Sequence, residues 1–427
     1  MAVNDILCKN QHMRRFAKIY IILFLIDAGL SLIAELLAAT SSPLPLVAGL
    51  RYSVAYAVII LSMVLYACLG IDRRLPKRIL LPLTLYVFWN ALAMWPLSGI
   101  IGRESLGLIA AAGQLLLGGI ALLLLRSPDG EPLLSGSQVR TPMFSWRNTL
   151  SFSAINLLLL PFVLVYSGLA MTGDYLERQT SGFMRLSPVG IYMSERSYHL
   201  DEKVIRLAAM MHIGREDYYE DLSGSMSVEE TIILAEGVTD RDKLLNNRFN
   251  YSKLAGLIGL SSQETMRFNG DLVDLDHLEA TGPDAGEQGK VDIALADTDV
   301  SQFDPETIEF LNELGRTLFG DMPLVEGLAE YNAWVSEQMT PEWIAGVMND
   351  ILDKRNAVVI DSMMRSLAYY DTIVIPWGAM HMPAIEAAVL ELGFVPGAES
   401  ERLSVDFRAI PYVELWRKWS DSGGLKM

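Results

Sequence analysis

The chain has 427 residues, 51% of them hydrophobic, a mean hydropathy of +0.28 and a net charge of −17. That apolar excess beside 20% charged residues excludes both a disordered chain and an evenly composed soluble domain, and the length exceeds one ordinary domain. The charge is unevenly divided: residues 1–150 hold 13 Lys and Arg against 7 Asp and Glu, net +6, whereas residues 151–427 hold 21 against 44, net −23. The acidic part is unsuited to nucleic acid or to anionic headgroups, so no nucleic-acid partner is expected. Both cysteines, Cys8 and Cys68, fall in the first part. The second part therefore has no disulfide and depends on its own core.

Taken in chain order, runs of mostly apolar residues recur at Ile19 to Ala39, Ser53 to Leu69, Ile79 to Ile100, Ser105 to Leu125 and Leu150 to Met171. Each is long enough to cross a hydrocarbon core of about 30 Å as a helix. Five in succession predict an integral membrane region over residues 1–172, and the first lacks the small-residue cleavage pattern of a removable signal peptide. Lys9, Arg14, Arg15, Lys18, Arg73, Arg74, Lys77, Arg78, Arg126, Arg140 and Arg147 lie on one side of these spans, against Arg51 and Arg103 on the other. The positive-inside bias then predicts a cytoplasmic amino terminus and, after five spans, an extracytoplasmic carboxyl end. Asp27 and Glu35 sit inside the first run, where an ion or proton path and a pair of satisfied acids both stay open. With no repeat among the spans, the region reads chiefly as an anchor.

Residues 173–184 read as a linker, and from about 185 the pattern changes. "GIYMSERSYHL" and "KVIRLAAMMHIG" flank Asp201-Glu202 as two strands of a hairpin, and "TIILAEGVTD" and "YYDTIVIPWGAMH" read as further strands. Helical spacing covers Lys253 to Ile258, Pro305 to Phe319, Val325 to Met339 and Pro341 to Leu367, while 279–290 is a Gly/Pro/acidic loop expected to be mobile. Strands alternating with long helices predict an α/β or α+β domain over 185–427, a central sheet flanked by helices.

Of five histidines, His12 and His277 lie in polar surroundings and His199 sits within the first strand of the hairpin. His212 and His381 each end an apolar strand-like run, and Glu236 holds the equivalent place in "IILAEG". Strand carboxyl ends are where α/β sheets gather ligand-binding groups. Two His and a Glu converging there would suit a divalent metal with an open position for water; capped strand ends and loop-bonded histidines are the other reading. Gly378 is expected to permit a tight turn, and Pro383 to open a helix, so that His381 is fixed between two rigid elements. Arg355 shares its predicted helix face with Ile351, Leu352, Val358 and Val359. An arginine on an apolar face needs an anionic partner from elsewhere, either a protein carboxylate or a substrate group.

In order, "VIRLAAMMHIGREDYY", "TIILAEGV", "NYSKLAGLIGLSSQ", "DIALADTDVSQF", "KRNAVVIDSMM" and "WGAMHMPAIEAAVLELGF" resemble the successive motifs of the TraB/GumN/PrgY family, related to the Tiki membrane-tethered proteases. The resemblance covers roughly residues 185–410. It implies two related halves, each with a Gly-X-X-His turn, and metal-dependent hydrolysis of peptides outside the cell. Carried over, His212, Glu236 and His381 become metal ligands, and Glu236 and Arg355 catalytic groups. The first turn departs from the pattern, reading Ala209-Met210-Met211-His212. The expected function is thus a membrane-anchored, outward-facing peptidase using a divalent cation, or alternatively a non-catalytic domain that sequesters a secreted peptide or other ligand.

Overall fold

The computed structural model describes residues 2–39, 45–101, 103–125, 144–226, 231–247, 249, 251–275, 291–320 and 322–422. The loop at 279–290 and His277 lie outside the described residues. The chain divides into two compact units, Met1–Asp174 and Tyr175–Met427.

The first unit is helical: α1 (Ala2–Ala39), α2 (Pro45–Ile71), α3 (Lys77–Ala91), α4 (Arg103–Leu124) and α5 (Trp146–Gln179). Four stretches are long and apolar enough to cross a membrane, Arg15–Ala38, Pro45–Ile71, Ser105–Leu124 and Trp146–Gln179. The run at 79–100 differs from expectation. Its helix stops at Ala91, because Pro96 has no N–H to continue the ladder and disfavours helical backbone before it; Ala93 and Met94 turn left-handed, each at φ 52°.

The broken segment nevertheless traverses the bundle. Lys77 bonds Asn148 at the foot of α5, where Asn148 also donates to the Gly70 carbonyl at 2.8 Å. Trp95, at the far end, meets Tyr166 edge-on at 5.3 Å, 18 residues or roughly 27 Å further up α5. Among the described residues the chain therefore passes along the bundle five times, four as helices long enough to span a membrane and once as this broken segment. Inside it, Gln114 donates to Asp27 Oδ2 at 2.8 Å, and Glu35 pairs with Arg51 at 2.9 Å.

The segment read as a linker, 173–184, is helix through Gln179, because its residues continue α5 without a breaker until Thr180, whose Oγ1 accepts the Met184 N–H at 3.0 Å. Beyond it the chain runs β1 (Met184–Leu186), β2 (Gly190–Leu200), β3 (Lys203–Met210), β4 (Ile213–Gly214), α6 (Glu216–Gly224), β5 (Thr231–Ala235), α7 (Tyr251–Leu257), β6 (Ser261–Ser262), β7 (Gly270–Leu272), β8 (Val291–Leu295), α8 (Pro305–Leu318), α9 (Leu324–Gln338), α10 (Pro341–Met348), α11 (Arg355–Ser366), β9 (Thr372–Gly378), α12 (Met382–Glu391), β10 (Val395–Asp406) and α13 (Tyr412–Ser422).

The main sheet has the order β1-β2-β3-β9-β5-β8-β7, with β10 also paired to β2. It is mixed. The hairpin β2–β3 is antiparallel, and β3, β9, β5, β8 and β7 are parallel. Central strands such as "TIILA" are apolar at nearly every position because both faces are covered; α11 packs on β5 and α12 on β3. Ile205, Leu207, Ile233, Leu234, Val374, Ile375 and Trp377 form the sheet's share of the core, and Val359, Met363, Ile385 and Val389 the helices' share.

The helix expected over Pro341 to Leu367 is present from Pro341 to Ser366, with a wider π-type turn at Asn349–Lys354 between α10 and α11, where buried Asp350 accepts the Asp304 N–H at 2.6 Å. Thr340 caps α10 by accepting the Trp343 N–H at 3.2 Å, which separates it from α9.

Candidate functional site

Four neighbouring parallel strands, β3, β9, β5 and β8, end side by side, and each delivers a polar residue just beyond its last paired position. These are His212, His381, Glu236 and Asp297. The π-type turn before α11 brings Arg355 to the same place. This is the edge where α/β sheets expose side chains to a ligand while the sheet holds their Cα atoms rigid.

Arg355 is the hub. Its Nη2 donates to Glu236 Oε1 and to Asp297 Oδ2, both at 2.7 Å, and its Nε donates to Asp297 Oδ1 at 2.9 Å. Its Nη1 lies 3.2 Å from His381 Nε2, and it makes only a 3.5 Å contact with the Ile351 carbonyl. The carboxylates are anchored in turn. Gly378 N donates to Glu236 Oε2 at 2.7 Å, Gly237 N to Asp297 Oδ2 at 2.9 Å and Thr298 N to Asp297 Oδ1 at 2.8 Å. Side-chain exposure is 0% for Asp297, 6% for Glu236 and 11% for Arg355, so little water screens these pairs. Burial alone would lower the Arg355 pKa; hydrogen bonds and charge from Asp297 and Glu236 outweigh it and hold the guanidinium above its ordinary value. One cation against two carboxylates leaves the cluster formally at −1.

His381 opens α12 and packs edge-on against Trp377 at 5.1 Å, while Trp377 Nε1 donates to the Leu234 carbonyl at 2.9 Å. Since Arg355 can only donate, His381 Nε2 must accept, and Nδ1–H then donates to Asn356 Oδ1 at 2.7 Å. The imidazole is neutral: burial pushes its pKa down to about 4, Glu236 opposes this and Arg355 reinforces it. His212 differs. It is exposed, its ring stacks on Tyr251 at 4.5 Å, and its Nδ1 lies 2.9 Å from Gln263 Oε1, which fixes the proton on Nδ1. Among the described residues Nε2 has no protein partner.

The two histidine turns follow adjacent strands but one residue out of register, since Ala209 pairs with Trp377 and Met210 with Gly378. Ala209 is ordinary strand backbone, so the departure from glycine there costs no strain. Gly378 does not take up the left-handed region either. A Cβ on it would meet Glu236 Oε2 and His381 Cδ2 at 3.5 Å, ordinary contact, and the expectation that its conformational freedom makes the turn is corrected.

Glu236, Arg355 and His381 are thus brought together, and His212 lines the same pocket as Glu236 and Arg355. A divalent cation does not fit this arrangement. Glu236 Oε1, both Asp297 oxygens and His381 Nε2, the lone pairs such an ion would need, already accept N–H groups from Arg355, whose own charge opposes a second cation. Gln263 engages only Nδ1 of His212, the third expected ligand, but among the described residues no three His, Cys, Asp or Glu form a group that could hold a metal. Sequence reasoning missed Asp297, Asn356 and Gln263. Asp297 had a readable signal, because it follows the strand "DIALA" as Glu236 follows "TIILA"; the amides had none.

Above the cluster lies a pocket of about 710 Å³. Its floor carries His212, Glu236, Gln263 and Arg355, and its walls come from the loops after β5 and β8, from Tyr251 and from the Phe310, Leu311 and Leu314 face of α8. Comparison of the chain with protein-family models, with curated proteins and with solved structures finds no match. The pocket must therefore be read from its own chemistry.

Proposed function

We propose that residues 185–427 form an outward-facing hydrolase of acyl bonds, held at a membrane by the helical unit and related to the TraB/GumN/PrgY proteins. The observation that carries the reading is a free imidazole nitrogen, His212 Nε2, in the same pocket as a rigidly held Arg355. In the proposed reaction a water attacks the acyl carbonyl carbon and gives its proton to His212 Nε2. Arg355 meets the developing oxyanion through the Nη1–H that now makes only the long Ile351 contact. The tetrahedral carbon then expels its leaving group, which takes the proton from His212, and the acid product departs. Glu236, Asp297 and His381 hold Arg355; no step passes through a metal. The outward placement is supported by the charge asymmetry of the loops and by five passages through the bundle.

The test is hydrolysis of ester and peptide libraries by the full chain in nanodiscs, with chelator and with added divalent metal, for the parent and His212→Ala. Activity that survives chelator and falls at least a hundredfold in His212→Ala fits the reading. Strict dependence on added metal would sink it. A second reading, a non-catalytic peptide binder, is favoured by the near-complete internal use of Arg355's donors, and would give ligand affinity without turnover.

A further inference from the structure

Resting on the hydrolase reading, the geometry points to a substrate class: we infer that the pocket takes an uncharged ester of a long aliphatic acyl chain, not an extended peptide. Three observations carry this.

The first is the division of the pocket into a polar floor and an apolar wall. Leu245, Phe249, Phe268, Phe303, Phe310 and Leu314 supply side chains with no hydrogen-bonding capacity, while, Tyr251 aside, the polar lining is confined to His212, Glu236, Gln263, Glu264 and Arg355. Such a lining rewards a featureless apolar body joined to one polar head. Phe249 and Tyr251 are braced by Phe319 at 5.3 and 5.1 Å, so part of the wall is preformed.

The second is the absence of a strand edge among the described lining residues. An extended peptide gains affinity by adding its backbone N–H and C=O groups to an exposed strand. The parallel strands reach this pocket only with their ends, and the sheet's outer strands β7 and β10 contribute no lining residue. A peptide laid here would bury amide groups against aromatic rings without partners, at a cost an alkyl chain avoids.

The third is charge. The cluster under the pocket is formally −1, with Asp297 and Glu236 outnumbering Arg355. A free carboxylate would be repelled, whereas an ester carbonyl asks only for a hydrogen-bond donor. The same imbalance helps expel the product: water adds to the acyl carbon, the ester C–O bond breaks, the alcohol leaves with the proton from His212, and the acid ionises beside two carboxylates. A chain carrying four helices long enough to cross a membrane has long-chain acyl esters at hand as bilayer lipids.

The experiment uses the full chain in nanodiscs with p-nitrophenyl acetate, butyrate, octanoate and dodecanoate, a set of peptide p-nitroanilides, and displacement of a fluorescent probe by the matching alkyl ethers, which bind without being cleaved. For the ester series kcat/KM is expected to rise about tenfold for every two methylenes buried, up to the length the wall accommodates. Leu314→Trp, which fills part of the wall, should move the optimum to a shorter chain. Cleavage that ignores chain length, or prefers peptide anilides, overturns the substrate class and leaves the hydrolase reading standing. Ether binding that strengthens with chain length, with no ester cleaved, supports the class and removes the hydrolase. If no ester is cleaved and ether binding does not strengthen with chain length, the inference is overturned.

Discussion

Replacing Arg355 by Met would leave Glu236 and Asp297 facing each other in a site where their side chains are 6% and 0% exposed. Removing one partner of a buried ion pair costs about 3–5 kcal/mol, because the remaining charge keeps its desolvation penalty without its compensation. Here one guanidinium serves two carboxylates, which places the expected loss at the upper end. The same reasoning predicts a reversal of sign. Asp297→Asn in the parent breaks a pair and destabilises, whereas in the R355M background it removes an uncompensated charge and stabilises. Amide hydrogen exchange in β5, β9 and α11 of the full chain in detergent measures both effects. A loss below about 1 kcal/mol, the level of a screened surface pair, or the same penalty for Asp297→Asn in both backgrounds, would refute the account of Arg355 as a charge hub.

Since the His381 pKa is depressed from 6.5 to about 4 by burial, the unfolded chain takes its proton first; this group's contribution is complete above about pH 6.5 and declines as pH falls toward 4, by about 3 kcal/mol in all, and a flat stability profile over that window would contradict it. Gly378→Ala should cost less than about 1 kcal/mol in thermal unfolding, because its Cβ finds 3.5 Å contacts; loss of folding would mean the turn needs glycine after all. Gln114→Leu removes the one partner that Asp27 Oδ2 has among the described residues, where Oδ1 has none, and should weaken the helical unit by about 1–3 kcal/mol in a micelle denaturation series, whereas an unchanged midpoint would argue against the pair. A reporter fused after Thr172 should show export; cytoplasmic activity there would reverse the proposed orientation.

Much of the sheet was legible because its central strands are continuous apolar runs: β5 and β9 are nearly fully buried. The hairpin β2–β3 was legible for a different reason, a polar turn at Asp201-Glu202 between two short β-type runs. Hydropathy misjudged the run at 79–100, since an average over the window does not register that Pro96 stops a helix. The arginine's need for an anionic partner followed from its apolar neighbours. Its identity did not, because Asp297 lies 58 residues away and only the parallel pairing of β5 with β8 brings it beside Glu236. The expected metal set meets the same obstacle: nothing in the spacing of His212, Glu236 and His381 shows that a guanidinium already takes lone pairs of Glu236 and His381.

The wider turn at Asn349–Lys354 gives this site an unusual vulnerability to length. A residue of α-helix advances about 100° around the axis, so removing one residue from the turn would swing every later side chain of α11 by that angle. Arg355 would then face away from Glu236 and Asp297 although no charged group had been lost. A single-codon deletion there would act as a switch on the whole constellation, and compensating single-codon insertions within 349–354 would be the expected suppressors in a genetic selection.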